Sequence, residues 1–176
     1  MATDASWLRH HLRDIEDFPS PGVTFKDITP LLGDATALRG AVDAITGEWA
    51  DIEVDFVAGI EARGFLLAAP VAYHLGAGLV PIRKPGKLPW EVVEAAYELE
   101  YGIDRIEVHR DAVAHGERVL IVDDVLATGG TARAACELLE GLGAEVLGVG
   151  VLLELGFLHG RARLKGRDVR SVLVEA

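Results

Sequence analysis

The 176-residue chain has little of what marks secreted and membrane-spanning proteins. A single cysteine, Cys136, excludes an internal disulfide and fits a reducing compartment. No uncharged apolar run approaches the roughly 20 residues that a membrane helix needs. The first residues also lack the apolar core of a secretion signal. We therefore expect a cytoplasmic protein.

Positive charge is also scarce. The chain has 17 Lys and Arg against 28 Asp and Glu, which gives a formal net charge of −11. Proteins that bind nucleic acids normally present a basic face, and an anionic membrane attracts basic segments. We expect no nucleic-acid partner and no membrane partner, so any phosphate-bearing ligand must be held by local donors.

Strand and helix patterns alternate along the chain, in which 50% of the residues are hydrophobic. The spacing of Leu8, Leu12 and Ile15 predicts a short N-terminal helix, and a second helix is expected over residues 35–49. Residues 85–110 alternate as an exposed hairpin would. Between these segments, strands are predicted at VDFVAGI, GLVPIRK, RVLIVD and AEVLGVGVLLE, and helices at RGFLLAAPVAYHL and GGTARAACELLEGLG.

This alternation predicts one α/β domain whose mainly parallel sheet is covered by helices on both faces. Ligands of such sheets bind beyond the carboxyl ends of the strands. The loops that follow VAGI, VPI and VLIVDD are therefore expected to meet at one edge of the sheet.

The stretch VLIVDDVLATGGT is the most specific motif in the chain. Two acids end a strand, and a turn of small residues then leads into a helix, where backbone N–H groups and the helix dipole favour an anion. Acceptors beside an anion seat match a ribose 5-phosphate. An acidic turn that only caps the helix is the alternative for an isolated acid pair. The acids are Asp123 and Asp124, and the turn is Ala127, Thr128, Gly129, Gly130 and Thr131.

Other ligand motifs are not found in the sequence. The G-x-x-x-x-G-K-[ST] loop of nucleoside-triphosphate enzymes does not occur, and GLGAEV and LGAGLV lack the third glycine of a dinucleotide fingerprint. The six histidines show no metal-ligand spacing.

The stretch VLIVDDVLATGGT resembles the phosphoribosyl pyrophosphate (PRPP) signature of type I phosphoribosyltransferases. That resemblance implies a single phosphoribosyltransferase domain over residues 1–176, with a mainly parallel central sheet flanked by helices. It also implies a small base-binding hood over residues 1–34 and a mobile lid hairpin over residues 85–110. In the family the two acids contact the ribose hydroxyls and the turn holds the 5-phosphate. Mg²⁺ is implied as cofactor, held mainly by PRPP near Asp123 and Asp124 and not ligated directly by protein side chains.

Further stretches resemble the members of this family that use adenine. FPSPGVTFKDITPLL resembles their base-binding segment, GIEARGF their pyrophosphate loop, and VPIRKPGKLP and YELEYG the segments that flank and form their lid. Ala127 stands where enzymes for 6-oxopurines typically have an acid. The resemblance implies adenine and PRPP as substrates, AMP and diphosphate as products, and a homodimer. Two alternatives stay open: an oxopurine enzyme on the same scaffold, and a regulator that senses PRPP.

The resemblance also assigns roles to individual residues. Phe25 would stack on adenine and Leu155 would close the other face of the base, while a cis peptide is implied at Glu61–Ala62. Glu100 would handle a proton at the purine. The implied catalytic residues are Glu100, Arg63 and Tyr101; the adenine-binding residues are Val23, Phe25, Lys26 and Leu155; and the pyrophosphate-binding residues are Glu61, Ala62, Arg63, Arg83, Lys84 and Lys87.

The chain departs from the family pattern in two places. Lys26 stands where the family commonly has arginine, which removes any guanidinium pairing but not backbone contacts. The stretch ELGFLHGRARL also differs in the residues that follow Leu155, so the far wall of the base pocket is not defined by the resemblance.

Overall fold

The computed structural model describes residues 4–98 and 103–176. A short 3₁₀ helix, Ser6–His11, precedes the first strand, and two more, Gly156–Leu158 and Gly160–Leu164, precede the last. The strands and α-helices, in chain order, are β1 (Arg13–Ile15), β2 (Phe25–Asp27), α1 (Thr29–Gly33), α2 (Ala35–Trp49), β3 (Phe56–Ile60), α3 (Gly64–Leu75), β4 (Gly78–Ile82), β5 (Val92–Glu98), β6 (Ile103–His109), β7 (Arg118–Leu126), α4 (Gly130–Gly141), β8 (Glu145–Leu155) and β9 (Val169–Glu175).

Five parallel strands form the central sheet, in the order β4-β3-β7-β8-β9. Apolar runs in β3, β7 and β8 are buried because both faces of the sheet are covered. The predicted parallel α/β architecture is thereby confirmed. The edge strand β9 was missed, since DVRSVLVEA mixes charged and apolar residues too evenly to signal a buried strand.

The direction of winding changes between β3 and β7. From β3 the chain passes through α3 to β4, whereas from β7 it passes through α4 to β8 on the other side. The cores agree with this: buried residues of α2 and α3 belong to one hydrophobic cluster and those of α4 to the other. In such sheets the crevice at the carboxyl ends of the strands where winding changes is the usual ligand site.

The predicted helices form where their end signals lie. The Asp34 side chain accepts hydrogen bonds from the backbone N–H groups of Thr36 and Ala37, at 2.9 and 2.8 Å, and caps α2. The helix α3 tolerates Pro70 and ends at Leu75, where it is capped by Gly76, whose φ of +68° is a left-handed conformation that suits glycine. Both helices therefore follow from local sequence.

The N-terminal region differs from its predicted form. The helix ends at His11, and Ile15 instead belongs to β1, which pairs antiparallel with β2. Arg13 donates to Asp27 across this pair, at 2.7 Å from Nη2. The strand β2 lies between Pro21 and Pro30 and contains neither, so each of its residues keeps the backbone N–H that strand pairing needs.

A hairpin forms within residues 85–110, as predicted, from β5 and β6 in antiparallel register. It is not exposed on both faces. Tyr97, Ile106 and Val108 are 3%, 1% and 0% exposed, and the hairpin packs against α4. The prediction of an exposed hairpin was therefore wrong for its inner face, since alternation shows only that one face is apolar.

Within residues 4–98 and 103–176, no helix has the length and apolar character needed to cross a membrane.

Candidate active site

The loops that follow β3, β4 and β7 meet at one edge of the sheet, as the sequence predicted. The backbone N–H of Glu61 donates to the Ile82 carbonyl at 2.9 Å, which joins the first two loops. Arg63 Nε lies 2.8 Å from Asp124 Oδ2, which joins the first loop to the third. The site therefore lies at the point where the winding of the sheet changes.

Asp123 and Asp124 form an acid pair whose negative charge is only partly offset by neighbouring groups. Asp124 is 4% exposed, and its backbone N–H donates to Asp123 Oδ1 at 2.9 Å. Burial and the neighbouring Asp124 charge raise the pKa of Asp123 well above its ordinary range. The Arg63 N–H is not directed at Asp124 Oδ2, so their contact is an ion pair and not a hydrogen bond. The pair has acceptor capacity left for a ligand.

Gly64, the first residue of α3, lies directly against this pair. A Cβ at Gly64 would stand 2.7 Å from Asp123 Oδ1 and 3.2 Å from the Val122 carbonyl oxygen. Such distances are too short for any side chain larger than hydrogen. Sequence reasoning did not assign Gly64 a role, although its place between Arg63 and Phe65 in GIEARGF would have allowed it.

The turn after β7 lines a small cavity of about 80 Å³ at the start of α4. Gly129 caps α4 with a φ of +81°, and the N–H groups of the first helical turn have no partner within the helix, which makes such a helix start suited to an anion. Thr128 and Thr131 are half-buried, and their hydroxyls are available as further donors. The cavity is lined by all five turn residues that the sequence predicted, Ala127, Thr128, Gly129, Gly130 and Thr131, and by Asp123.

A second cavity, of about 740 Å³, shares Val125 and Ala127 with the first and is also lined by residues of the N-terminal region and by Arg63, the ion-pair partner of Asp124. Phe25 and Leu155, the predicted walls for a base, both line it. Phe25 makes an edge-to-face contact with Phe18 at 5.1 Å between ring centroids, which fixes its ring. Val23 and Lys26 line the same cavity, so the four predicted base-binding residues lie together.

Arg63 reaches from the acid pair into this cavity. Its guanidinium carbon lies 4.6 Å from the centroid of the Phe25 ring, and Nη1 donates to the Lys26 carbonyl at 3.4 Å. Arg63 therefore contacts three groups for which the resemblance implied ligand contacts. They are the Phe25 ring, the Lys26 backbone and the Asp124 carboxylate. A base stacked on the face of Phe25 that Arg63 covers would displace the guanidinium from the ring.

The Lys26 side chain is paired with two acids. Its Nζ lies 2.8 Å from Asp14 Oδ1 and 2.7 Å from Glu175 Oε2. Burial alone would lower the pKa of Lys26, but the hydrogen bonds to Asp14 and Glu175 raise it. Both acids line the cavity and were missed by sequence reasoning, because β1 and β9 were not expected there.

Glu61 and Arg83 pair with each other in the predicted pyrophosphate region. Arg83 Nε donates to Glu61 Oε2 at 3.2 Å, and the Lys84 N–H donates to the same oxygen at 2.8 Å. The Lys84 hydrogen bond and the Arg83 charge lower the pKa of Glu61. The Glu61–Ala62 peptide bond is cis, as the resemblance implies. Lys87 is exposed, and its carbonyl accepts from Arg83 Nη1 at 3.2 Å.

Lys84 is engaged elsewhere in this structure. Its Nζ donates to the Tyr97 hydroxyl at 2.8 Å and also pairs with Asp104, to which Tyr97 donates in turn. Burial opposes the charge on Lys84, but these partners raise its pKa. Lys84 thus connects the end of β4 to the hairpin. Glu100 and Tyr101, the other predicted catalytic residues, lie outside the described residues.

The acid pair fits a divalent cation that arrives with its own ligands. Two adjacent carboxylates with one raised pKa favour a nearby positive charge. In the part of the chain that the structure describes, no three His, Cys, Asp or Glu side chains form a metal cage. Magnesium usually keeps most of its ligands from water and phosphates, so this site suits a cation bound mainly to a ligand phosphate.

Comparisons with known proteins agree with this site. Residues 28–172 match the family model described as "Phosphoribosyl transferase domain". The chain is 58% identical over 173 residues to an adenine phosphoribosyltransferase of Thermobifida fusca, with 98% of each chain covered. It is 57% identical to that of Desulfitobacterium hafniense, with 93% of this chain and 94% of the other covered.

Solved structures give the same result. An adenine phosphoribosyltransferase of Thermoanaerobacter pseudethanolicus superimposes with a TM-score of 0.95 at 48% identity and covers 97% of this chain and 99% of its own. The enzyme of Saccharomyces cerevisiae, complexed with an imino-altritol bisphosphate and adenine, gives 0.91 at 40% identity, with 98% and 100% covered.

Fold and matches together define a type I phosphoribosyltransferase, with a parallel sheet that carries an acid pair and a turn of small residues where its winding changes. The extent of the matches narrows the class of protein further. The chain belongs to the adenine phosphoribosyltransferase family.

Proposed function

We propose that this protein transfers the 5-phosphoribosyl group from PRPP to adenine and releases AMP and diphosphate, a reaction of purine salvage. The observation that carries the proposal is the continuity of three subsites. The cavity at the Ala127–Thr131 turn and the Phe25–Leu155 cavity share Val125 and Ala127, and the acid pair reaches both, through Asp123 in the first and through Arg63, the ion-pair partner of Asp124, in the second. The phosphate, ribose and base of a nucleoside monophosphate are likewise contiguous.

Ribose 5-phosphate would bind where β7 ends and α4 begins. The ribose hydroxyls would donate to Asp123 and Asp124, whose acceptor capacity is only partly used. The 5-phosphate would accept hydrogen bonds from the N–H groups of the Ala127–Thr131 turn, whose cavity of about 80 Å³ suits one small anion. Mg²⁺ is the proposed cofactor, and when bound to the pyrophosphate it would offset the charge of the leaving group.

Adenine would stack on Phe25 and face Leu155, with its edge read by the backbone of Val23 and Lys26. Backbone groups suit adenine because its amino group donates beside a ring nitrogen that accepts. Arg63 would then move from the Phe25 ring toward the pyrophosphate, where a guanidinium binds phosphate oxygens well. Arg63 is therefore proposed to contact the Phe25 ring in the ligand-free site and the pyrophosphate in the ligand-bound site.

Departure of pyrophosphate leaves positive charge at the anomeric carbon, so the leaving group must be stabilised and water excluded. Arg63, the backbone at Glu61 and Ala62, and Lys87 are proposed pyrophosphate donors. Arg83 and Lys84 would join them only after leaving their present partners Glu61 and Asp104. Residues 85–110 are proposed as the lid, with Glu100 handling a proton at the purine and Tyr101 beside it.

A homodimer and a cytoplasmic location are further parts of the proposal. Leu66 and Tyr73, seven residues apart on α3, are 50% and 84% exposed, which supports an apolar contact face for a second copy. Light scattering after size exclusion would test this, with Tyr73→Glu expected to favour the monomer.

A base panel tests the function. The purified protein is incubated with Mg²⁺ and PRPP and with adenine, hypoxanthine, guanine, xanthine or orotate, and nucleotides are separated by chromatography. We expect AMP from adenine and little product from the other bases. Turnover of an oxopurine instead would refute the interpretation of the Phe25 cavity. PRPP binding without turnover of any base would favour the regulator, whose acidic net charge of −11 argues against nucleic acid as its target.

A further inference from the structure

The segment after β8 connects the base cavity to the phosphate turn. It starts at Leu155 in the cavity wall and continues through the 3₁₀ helix Gly156–Leu158, whose Phe157 and Leu158 also line the cavity. His159 turns the chain with a φ of +52°, and Gly160 then lies buried at the start of the next 3₁₀ helix. This is the stretch whose sequence departs from the family pattern.

Gly160 touches the phosphate turn backbone to backbone. A Cβ at Gly160 would collide with the Ala127 carbonyl oxygen and would stand 3.1 Å from the Gly129 nitrogen. A Cβ at Gly129 would in turn collide with the Gly160 carbonyl oxygen and stand 3.2 Å from the Gly160 Cα. The backbone of Gly160 is therefore in direct contact with the backbone of Ala127 and Gly129, so a movement of Gly160 toward the turn would displace these residues.

Arg161, the next residue, is fixed by a dense set of hydrogen bonds. Its Nε donates to Glu154 Oε1 at 2.8 Å and its Nη2 to Glu154 Oε2 at 2.6 Å. Nη1 donates to the Val169 carbonyl at 2.5 Å, and Nη2 to Ser171 Oγ at 3.1 Å. Ser171 Oγ also donates to Glu154 Oε2 at 2.6 Å. The guanidinium thus ties its segment to β8 and β9 with little freedom.

The anchor and the turn are also neighbours in the sheet. Glu154 on β8 pairs in register with Leu126 on β7, the residue directly before Ala127. Glu154 is 5% exposed, so its carboxylate is shielded from water and the bidentate pair keeps its geometry. Arg161 and the phosphate turn are therefore linked through Glu154. Arg161 pairs with Glu154, and Glu154 pairs in the sheet with the residue that precedes the turn.

We propose that Arg161 is a positioning residue for the 5-phosphate site: its bidentate pair with Glu154 holds Gly160 against Ala127 and Gly129, and so aims the N–H groups of the turn at the phosphate. The inference rests on the proposed function, since it concerns the phosphate subsite of that reaction. Backbone anion sites depend on preorganised donors, and a displacement of about 1 Å can cost about 100-fold in rate or affinity.

The test compares Arg161→Gln and Arg161→Lys with the wild-type protein and with Arg163→Gln, an exposed arginine of the same 3₁₀ helix. Binding of ribose 5-phosphate is measured by calorimetry, and KM is measured for PRPP and for adenine. For Arg161→Gln we expect the ribose 5-phosphate Kd and the PRPP KM to rise at least 10-fold, with the adenine KM changed less than 2-fold. Arg161→Lys keeps the charge but not the fork and should recover only part of the loss. Arg163→Gln should match the wild type.

Two outcomes would overturn the proposal. One is an unchanged ribose 5-phosphate Kd in a folded Arg161→Gln protein. The other is an equal rise of both KM values, which marks general damage and not positioning. If Arg161→Gln does not fold, Ser171→Ala is judged by the same criteria at a threshold of 2-fold, because it removes two hydrogen bonds of the set, the one from Arg161 Nη2 and the one to Glu154 Oε2. Failure of wild-type turnover with adenine would refute the proposed function alone, because ribose 5-phosphate binding still reports on Arg161.

Discussion

Two buried carboxylates stand at the ends of adjacent strands, and they are paired in opposite ways. Asp124 on β7 is 4% exposed and Glu154 on β8 is 5% exposed. Glu154 receives hydrogen bonds from Arg161 and Ser171. Asp124 Oδ2 receives none from the described residues, and its neighbour Asp123 has a raised pKa.

This difference distinguishes Glu154, a carboxylate that stabilises the fold, from Asp124, a carboxylate with an oxygen that can still accept a hydrogen bond from a ligand. Burying a carboxylate oxygen without hydrogen bonds is costly even beside a cation such as Arg63, so such an oxygen persists only where something else requires it. A fully paired acid needs no ligand to explain it. Burial alone would have ranked Asp124 and Glu154 together, whereas the pairing of each distinguishes substrate contact from positioning.

The largest expected effect comes from removing the charge of Asp124, which has an ion pair with Arg63 but no hydrogen bond to Oδ2 from the described residues. Asp124→Asn should raise the PRPP KM by about 10- to 150-fold, because a charge-assisted hydrogen bond contributes about 1.5–3 kcal/mol. Steady-state kinetics at saturating adenine measure this. Asp43→Asn on the exposed face of α2 removes the same charge far from the site and serves as the control. An unaltered PRPP KM in Asp124→Asn would count against its role as hydroxyl acceptor.

Removing the charge of Glu154 should instead weaken the fold. Glu154→Gln is expected to lower the free energy of unfolding by about 1–3 kcal/mol, since it leaves Arg161 without a carboxylate. Burial tends to raise the pKa of Glu154, but Arg161 and Ser171 lower it below 4.5. The stabilisation is therefore full above pH 4.5 and is lost as pH falls through the lowered value.

Urea unfolding of Glu154→Gln and wild type at pH 7 and at successively lower pH measures this difference. Glu137→Gln is the matched control, because Glu137 is exposed and makes only an i,i+4 pair with Arg133. A difference between wild type and Glu154→Gln that grows as pH falls would contradict the pairing argument.

The opposite sign is expected for Asp123→Asn. Burial and Asp124 raise the pKa of Asp123, so its ionised form opposes folding at neutral pH, and the penalty fades as pH falls below the raised value. The neutral isostere should stabilise the ligand-free protein by about 0.5–2 kcal/mol at pH 7, while PRPP binding weakens. Thermal unfolding without and with PRPP tests both parts. A less stable ligand-free Asp123→Asn protein would remove the distinction between the two strand ends.

The sequence alone predicted the strands and helices that local residue patterns define. The acids and the small-residue turn in VLIVDDVLATGGT lie at a strand end and a helix start, and the structure has both. Partners distant in the chain left no local signal. Lys84 was expected to be free for pyrophosphate, yet it pairs with Asp104 in the hairpin. Arg161 had no assigned role, because its contacts depend on β9, a strand that the pattern did not reveal.

The smallest effect is expected from substitution of Cys136. This buried thiol is not proposed to contact a ligand and needs no ionic partner. Burial in α4 raises the pKa of its thiol to about 11, so at pH 8 only about one thiol in a thousand is ionised. Cys136→Ala should leave both KM values unchanged. A disulfide reagent at pH 8 should label wild-type Cys136 only as fast as the protein unfolds, and labelling should rise sharply in denaturant. Rapid labelling of the native protein would mean that α4 opens away from the sheet, and the phosphate turn that begins this helix would then not be preorganised.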